Sequence, residues 1–137
     1  MVSRLAYVLK WLTVPGVCLI TGILMMTIQR VESGHGISGT RTPQWHSMEI
    51  NIRYNQNTLE QTVLATIAWF GLGLNLPHES LNLIGVFACY FGIGRILFWI
   101  GYLQSNEEMR APGFALTFLP TLGSYVWLVY AYVLKCM

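Results

Sequence analysis

Arg53, Asn57 and Glu60 stand at i, i+4 and i+7 in a chain that is otherwise poor in polar groups. At about 100° per residue, the three fall within about 60° of one another on a helix and form one polar stripe. Arg95 and Tyr102 stand i, i+7, with Phe98 and Trp99 between them on the same side. The set offers two guanidinium groups, a carboxylate, an amide and a phenol. It suits a small zwitterionic or anionic ligand that carries both carboxylates and an amine. Guanidinium pairs with carboxylate in a two-pronged geometry, Glu answers an amine, and Asn bridges both. The plainer alternative is a buried Glu60–Arg95 pair that fixes helix register. Breaking such a pair costs about 3–5 kcal/mol, because a charge is left behind. A pair of this kind does not exclude a ligand site, and the residues alone leave both readings open.

Composition narrows what else the chain does. Of 137 residues, 54% are apolar and 10% are charged, where a soluble domain carries about 25% charged residues. All acids are glutamates (Glu32, Glu49, Glu60, Glu79, Glu107, Glu108), and no Asp is present. Calcium loops of the EF-hand type and Asp-based chemistry are thereby excluded. A scattered net charge of +2 is too weak for a nucleic-acid surface. Cys18, Cys89 and Cys136 form no disulfide framework and have no zinc spacing. His35, His46 and His78 have no metal-ligand spacing either, so no metal site is expected.

Long uncharged runs must position the polar residues. They cover 11–29, 61–78, 80–94, 96–106 and 111–134, with Arg95 interrupting the third span. A helix needs about 20 mostly apolar residues to cross the hydrocarbon. The pattern predicts four spans at 5–28, 57–77, 80–104 and 113–134 within a single domain, 1–137. The first run is long for a signal peptide, and no small-x-small cleavage site follows it. Val2 cannot be myristoylated and no prenylation box closes the chain, so lipid anchors are not indicated.

The connections are a long loop at 30–52 rich in turn residues (Ser33, Gly34, Gly36, Gly39, Pro43), a tight one at 76–80, and a third at 105–112. Short loops make neighbours antiparallel, so the expected fold is an all-α, integral membrane, four-helix antiparallel bundle. No internal repeat or low-complexity segment is visible. Arg30, Arg41, Arg53 and Arg110 lie on the side of the first and third loops, and Arg4, Lys10 and Lys135 lie on the terminal side. The excess favours 30–53 and 105–112 in the cytoplasm, with both termini in the periplasm or lumen. Tyr7, Trp11, Trp127, Tyr130 and Tyr132 are expected as an interfacial belt on the terminal side. Glycines and small-xxx-small spacing, as in Ala88 and Gly92, favour close helix packing or oligomerisation. Pro15 and Pro120 are expected to bend their spans. Arg95 lies about 14 Å from the end of its span. The acid inside a span on that side is Glu60; Glu79 belongs to the opposite face.

At these residues the sequence resembles the MAPEG family, the membrane-associated proteins in eicosanoid and glutathione metabolism. The motifs that carry the likeness are Arg53-x-x-x-Asn57-x-x-Glu60, Gly94-Arg95 followed by Gly101-Tyr102, Pro112-Gly113-Phe114 before the last span, and His78-Glu79 between the second and third. The resemblance covers about residues 53–125, and the first span matches in hydropathy alone. It implies a four-helix protomer in a homotrimer, with glutathione between subunits near the cytoplasmic face and a lipophilic substrate arriving from the bilayer. Such enzymes conjugate glutathione to electrophiles, reduce lipid hydroperoxides or isomerise lipid endoperoxides.

By motif position, Arg53, Asn57 and Glu60 would hold glutathione. Arg95 would brace them, Tyr102 would face the ligand, and Arg30 is a weaker contact. Catalytic members place an arginine near the start of the last span to stabilise the thiolate. Here the nearby residue is Arg110, in a shifted register, with the Tyr102 hydroxyl as its helper. The tyrosine that often follows the motif acid is Gln61, and Phe98 lacks a hydroxyl. The expected function is a glutathione-dependent membrane transferase or peroxidase, in either the bacterial inner membrane or the endoplasmic reticulum. The alternative is a non-catalytic relative that binds lipid or acts as a scaffold.

The orientation is testable directly. On a background without the native cysteines, Ser38→Cys should resist an impermeant thiol reagent in intact cells. Rapid labelling would invert the topology.

Overall fold

Each expected span is built on a helix, and three of the four helices are longer than the span expected for them. The computed structural model describes residues 2–32, 45–104 and 107–136, the side chains of 45–47, 107, 109 and 136 excepted. The order is α1 (Val2–Glu32), α2 (Trp45–Asn75), a single 3₁₀ turn at His78–Ser80, α3 (Asn82–Leu103) and α4 (Glu107–Cys136).

The loop expected over 30–52 is shorter than predicted, because α2 is already helical from Trp45. Met48 and Tyr54 on this added stretch are buried. Glu49 and Arg53 bridge one turn at 2.7 Å, a spacing that supports helix. Asn51 Nδ2 donates to Gln29 Oε1 at 2.9 Å, so the end of α1 and the start of α2 hold each other. The turn-rich residues 33–44, with His35 and Arg41, lie outside the described residues. Pro112 does not open the last helix as its position suggested. It sits inside α4, which starts at Glu107.

α1, the stretch His78–Leu103 and the stretch Arg110–Lys135 are long and apolar enough to cross a membrane. The second expected span differs. α2 matches α1 in length but is not among the helices that meet this apolarity. One of its polar stripes points inward: Asn51, Asn55, Thr58 and Gln61, at i, i+4, i+7 and i+10, are all buried within the bundle. The outward side chains of the other helices are apolar, including Ile20 and Leu24 on α1, Ile93 and Ile96 on α3, and Val126 and Val129 on α4. Thr21 and Thr27 return their hydroxyls to the carbonyl one turn back, which conceals a polar group in a lipid-facing helix.

α3 packs most extensively on α4, and α1 on α2, while α1 and α4 occupy opposite corners. The interior is divided along the bundle axis. Val8, Ala68, Trp69, Leu72, Ile84 and Leu128 form an apolar core toward the terminal end. Asn51, Asn55, Thr58, Arg95 and Thr117 fill the half toward the first and third connections. Trp11, expected in the interfacial belt, instead packs on α3: a Cβ at Gly85 would sit 2.9 Å from its ring. Tyr130 is exposed, as a belt residue should be.

The tightest crossing joins α3 to α4. A Cβ on Gly113 would lie 2.5 Å from the backbone nitrogen of Phe98, and one on Gly94 would lie 2.8 Å from the Gly113 carbonyl oxygen. Backbone meets backbone here, so no side chain can move aside. Gly113→Ala should therefore lower thermal stability in detergent by about 1–3 kcal/mol, the usual cost of overpacking. Gly123, with nothing within 4 Å of its virtual Cβ, is the control: Gly123→Ala should leave the melting temperature unchanged or raise it.

Candidate functional site

The Gly94–Gly113 crossing decides where the next polar residues fall. It sets Arg95 of α3 opposite Thr117, one turn beyond Gly113 on α4. Arg95 is fully buried, at 0% exposure. Its Nη1 donates to Asn57 Oδ1 of α2 at 2.7 Å, and its Nη2 donates to Thr117 Oγ1 at 2.5 Å. The Thr117 hydroxyl passes its own proton to the Phe114 carbonyl at 2.9 Å. The rings of Phe98 and Phe91 stand 4.6 and 5.7 Å from the guanidinium carbon, within cation–π range. The Arg95 Nε makes no hydrogen bond.

The Glu60–Arg95 pair suggested by depth does not form within the protomer. Glu60 is exposed on the outer side of α2, and its carboxylate accepts from Gln56 Nε2 at 3.4 Å. Asn57 lies about 60° further round the helix and takes the place assigned to the acid. Because Arg95 is enclosed, it also presents no surface to a Glu60 of a second copy. The charge is held by two neutral oxygens and two aromatic faces.

Below Arg95, Phe98 and Phe114 continue into a shallow, open cleft on the α3–α4 face. Phe98 meets Tyr102 edge-on, with centroids 5.0 Å apart and planes at 85°. The Arg110 guanidinium lies over the Tyr102 ring at 4.9 Å. Phe98, Tyr102, Arg110, Ala111 and Phe114 line a space of about 340 Å³. Phe114 stacks on Phe118 at 5.2 Å. The structure therefore brings together Arg110 and Tyr102, the two residues expected to act on a thiol. Phe98 sits between them and Arg95, so the enclosed guanidinium braces the cleft.

The expected ligand-binding stripe is divided. Asn57 turns inward and is committed to Arg95. Arg53 turns outward, with its Nη2 donating to Glu49 Oε1 at 2.7 Å and side-chain exposures of 63% and 40%. Arg53, Gln56 and Glu60 thus form an accessible polar edge on α2. Arg30 is exposed at the end of α1, its Nη2 4.0 Å from the Met26 sulfur. It neighbours Gln29, which is tied through Asn51 to the Trp99 indole at 3.3 Å.

Sequence reasoning missed Thr117 and Asn51. Both belong to buried polar stripes that helical spacing makes legible: Thr117, Thr121 and Ser124 on α4, and Asn51, Asn55, Thr58 and Gln61 on α2.

The sequence profile of the MAPEG family matches residues 8–130. Transmembrane protein 79 of Mus musculus is 29% identical over 83 residues, and that of Bos taurus is 28% identical over the same length. Each alignment covers 61% of this chain and 21% of the relative, so the chain spans about a fifth of the length of the curated relatives it matches. No solved structure matches. The chain belongs to the MAPEG family, and it is an all-α, multi-pass integral membrane protein.

The geometry separates two partners for Arg95. Arg95→Leu should lower thermal stability in detergent by about 1.5–3 kcal/mol for each charged hydrogen bond lost. Combined with Asn57→Leu, the losses should fall short of their sum, as contact residues do in a double-mutant cycle. Combined with Glu60→Gln, they should add. Sub-additivity with Glu60 and additivity with Asn57 would reverse the assignment.

Proposed function

We propose that this MAPEG-family chain is a glutathione-dependent membrane transferase or peroxidase. It works as a homotrimer on a lipophilic electrophile or a lipid hydroperoxide, with the connections after α1 and α3 in the cytoplasm. The observation that carries the reading is the Arg110 guanidinium over the Tyr102 ring, 4.9 Å away, in a cleft walled by Phe98 and Phe114. A cation and a phenol beside apolar walls suit an anionic sulfur meeting a lipophilic partner.

The donor set fits glutathione. The exposed guanidinium of Arg53 answers a carboxylate, and the exposed carboxylate of Glu60 answers an amine. Asn57 keeps an amide nitrogen beyond the oxygen it gives to Arg95. Gln56 and Glu60 share the exposed side of α2 with Leu59 and Val63. Polar groups in that setting are costly in lipid, and a neighbouring copy would cover them. This supports a trimer with the ligand between subunits.

When bound, glutathione supplies a thiol that is nucleophilic as its thiolate. A free thiol has a pKa of about 8.5, and lowering it by about two units needs about 2.7 kcal/mol. A guanidinium about 4 Å from the sulfur contributes about 4 kcal/mol at an effective dielectric of about 20, and about half that at about 8 Å. Arg110, whose guanidinium lies over the Tyr102 ring, would be the group that stabilises the thiolate, with the Tyr102 hydroxyl as a further donor. Phe98 and Phe114 offer an apolar surface to a lipophilic partner. Arg53, Asn57 and Glu60 orient the backbone of the tripeptide.

The second reading is a non-catalytic family member that binds lipid or serves as a scaffold. It is favoured by the commitments already made: Arg53 to Glu49, and Asn57 to Arg95. One experiment parts the two. Calorimetry of glutathione on purified protein should show binding, weakened by about 1.5–3 kcal/mol in Arg53→Ala. Ultraviolet thiolate absorbance of the complex should then titrate at a lower pH in wild type than in Arg110→Ala. An unmoved midpoint removes Arg110 as activator, and binding without any thiolate supports the scaffold.

A further inference from the structure

The far end of α3 carries a second cleft that the proposed function does not use. It lies where α1 begins and α2 turns into α3, a half-open space of about 430 Å³. Ser3, Arg4, Tyr7, His78, Glu79 and Asn82 line it, and Leu81 is its one aliphatic wall. Asn82 and Tyr102 are separated along α3 by about 30 Å at about 1.5 Å per residue. That distance is about the thickness of the bilayer hydrocarbon. With the Tyr102–Arg110 cleft at one membrane boundary, this one stands at the headgroup level of the opposite leaflet. The membrane-crossing stretches Val2–Glu32 and His78–Leu103 both start beside it.

Its side chains are arranged as donors and an acceptor held apart. Arg4 Nη1 donates to the Leu76 carbonyl at 2.8 Å, which pins the guanidinium to the end of α2. A guanidinium has further N–H groups beyond that one. The Tyr7 hydroxyl donates to Asn82 Oδ1 at 3.3 Å, so the Asn82 amide nitrogen is the atom left to donate. His78 and Glu79 project from the 3₁₀ turn and are exposed. Arg4 and Glu79 line the same cleft without forming an ion pair with each other. A cation and an anion kept apart in one cleft match a ligand that carries both signs.

From this arrangement we infer that the cleft binds the headgroup of an aminophospholipid. Arg4, with the His78 and Asn82 N–H groups, takes the phosphodiester. Glu79 accepts hydrogen bonds from the primary ammonium. A choline headgroup carries positive charge but no N–H, so it cannot make the Glu79 bonds. The recognised chemistry, phosphate joined to a primary amine, is shared with soluble phosphoethanolamine. The position at headgroup depth commits the site to the lipid.

The test uses the full chain in choline-lipid nanodiscs, into which phosphatidylethanolamine is titrated, with lipid retention read by native mass spectrometry. Wild type should retain the ethanolamine lipid about tenfold over the choline lipid, the worth of one charge-assisted hydrogen bond. Glu79→Gln should abolish that preference while retaining choline lipid. His78→Ala and Arg4→Ala should weaken retention of both lipids. His78→Ala is the cleaner variant, because Arg4 also caps α2. Equal retention of the two lipids by wild type, or a preference that survives Glu79→Gln, overturns the proposal. Added phosphoethanolamine should displace the lipid. If it binds while neither lipid is retained, the occupant is the soluble compound and the lipid assignment fails. None of these readouts involves glutathione, so the outcome is independent of the function proposed above.

Discussion

A full positive charge enclosed in a membrane protein has to find its compensation within a few ångströms. Arg95 finds it on three helices at once: its own α3, α2 through Asn57, and α4 through Thr117. Neither oxygen is charged, so the guanidinium lacks the Coulombic return of an ion pair. Hydrogen bonds and the faces of Phe91 and Phe98 offset the desolvation instead. Such a residue specifies more than it stabilises. Its two terminal nitrogens find Asn57 and Thr117 in one relative rotation of three helices, and any slip leaves a buried charge unpaired.

That constraint depends on an approach only glycine allows. Gly94 and Gly113 let α3 and α4 cross backbone to backbone, which brings Thr117 within reach of the residue after Gly94. Lipid offers no hydrophobic drive between helices, so such crossings rest on close packing and polar contacts. Phe98 meets Tyr102 one turn along α3 itself, and the same crossing sets the start of α4, with Arg110, over the Tyr102 ring. The cleft is thus downstream of the buried arginine, and the apolar core around Trp69 and Ile84 anchors the other half of the bundle.

The two ends of α3 then differ in kind. At one end a cation and a phenol face aromatic walls. At the other, opposite charges line a polar cleft without meeting. Helix length alone separates them by about one hydrocarbon thickness. An asymmetric pair of clefts follows from a helix whose two ends meet different neighbours, α4 at one end and the start of α1 at the other.

Much of this was legible in the residues. Uncharged runs required membrane helices, and short connections required antiparallel neighbours. The same connection put Arg110 near Tyr102, because few residues separate the end of α3 from the start of α4. Helical rise also put Arg95 within a side chain's reach of the membrane face at which Asn57 and Glu60 enter. Period says nothing about how two helices are rotated against each other. Asn57 and Glu60 differ by about 60° and one turn, and the rotation of α2, which buries Asn55, Thr58 and Gln61, turned the amide inward and left the acid outside. Thr117 was hidden for a related reason. A hydroxyl in a membrane helix ordinarily bonds its own backbone, as Thr62 and Thr121 do, and only the approach of α3 makes this one an acceptor for a buried charge. Composition and period therefore determined the elements, the membrane and the level of each polar group, while helix rotation, set by where backbones can touch, decided which of those groups meet.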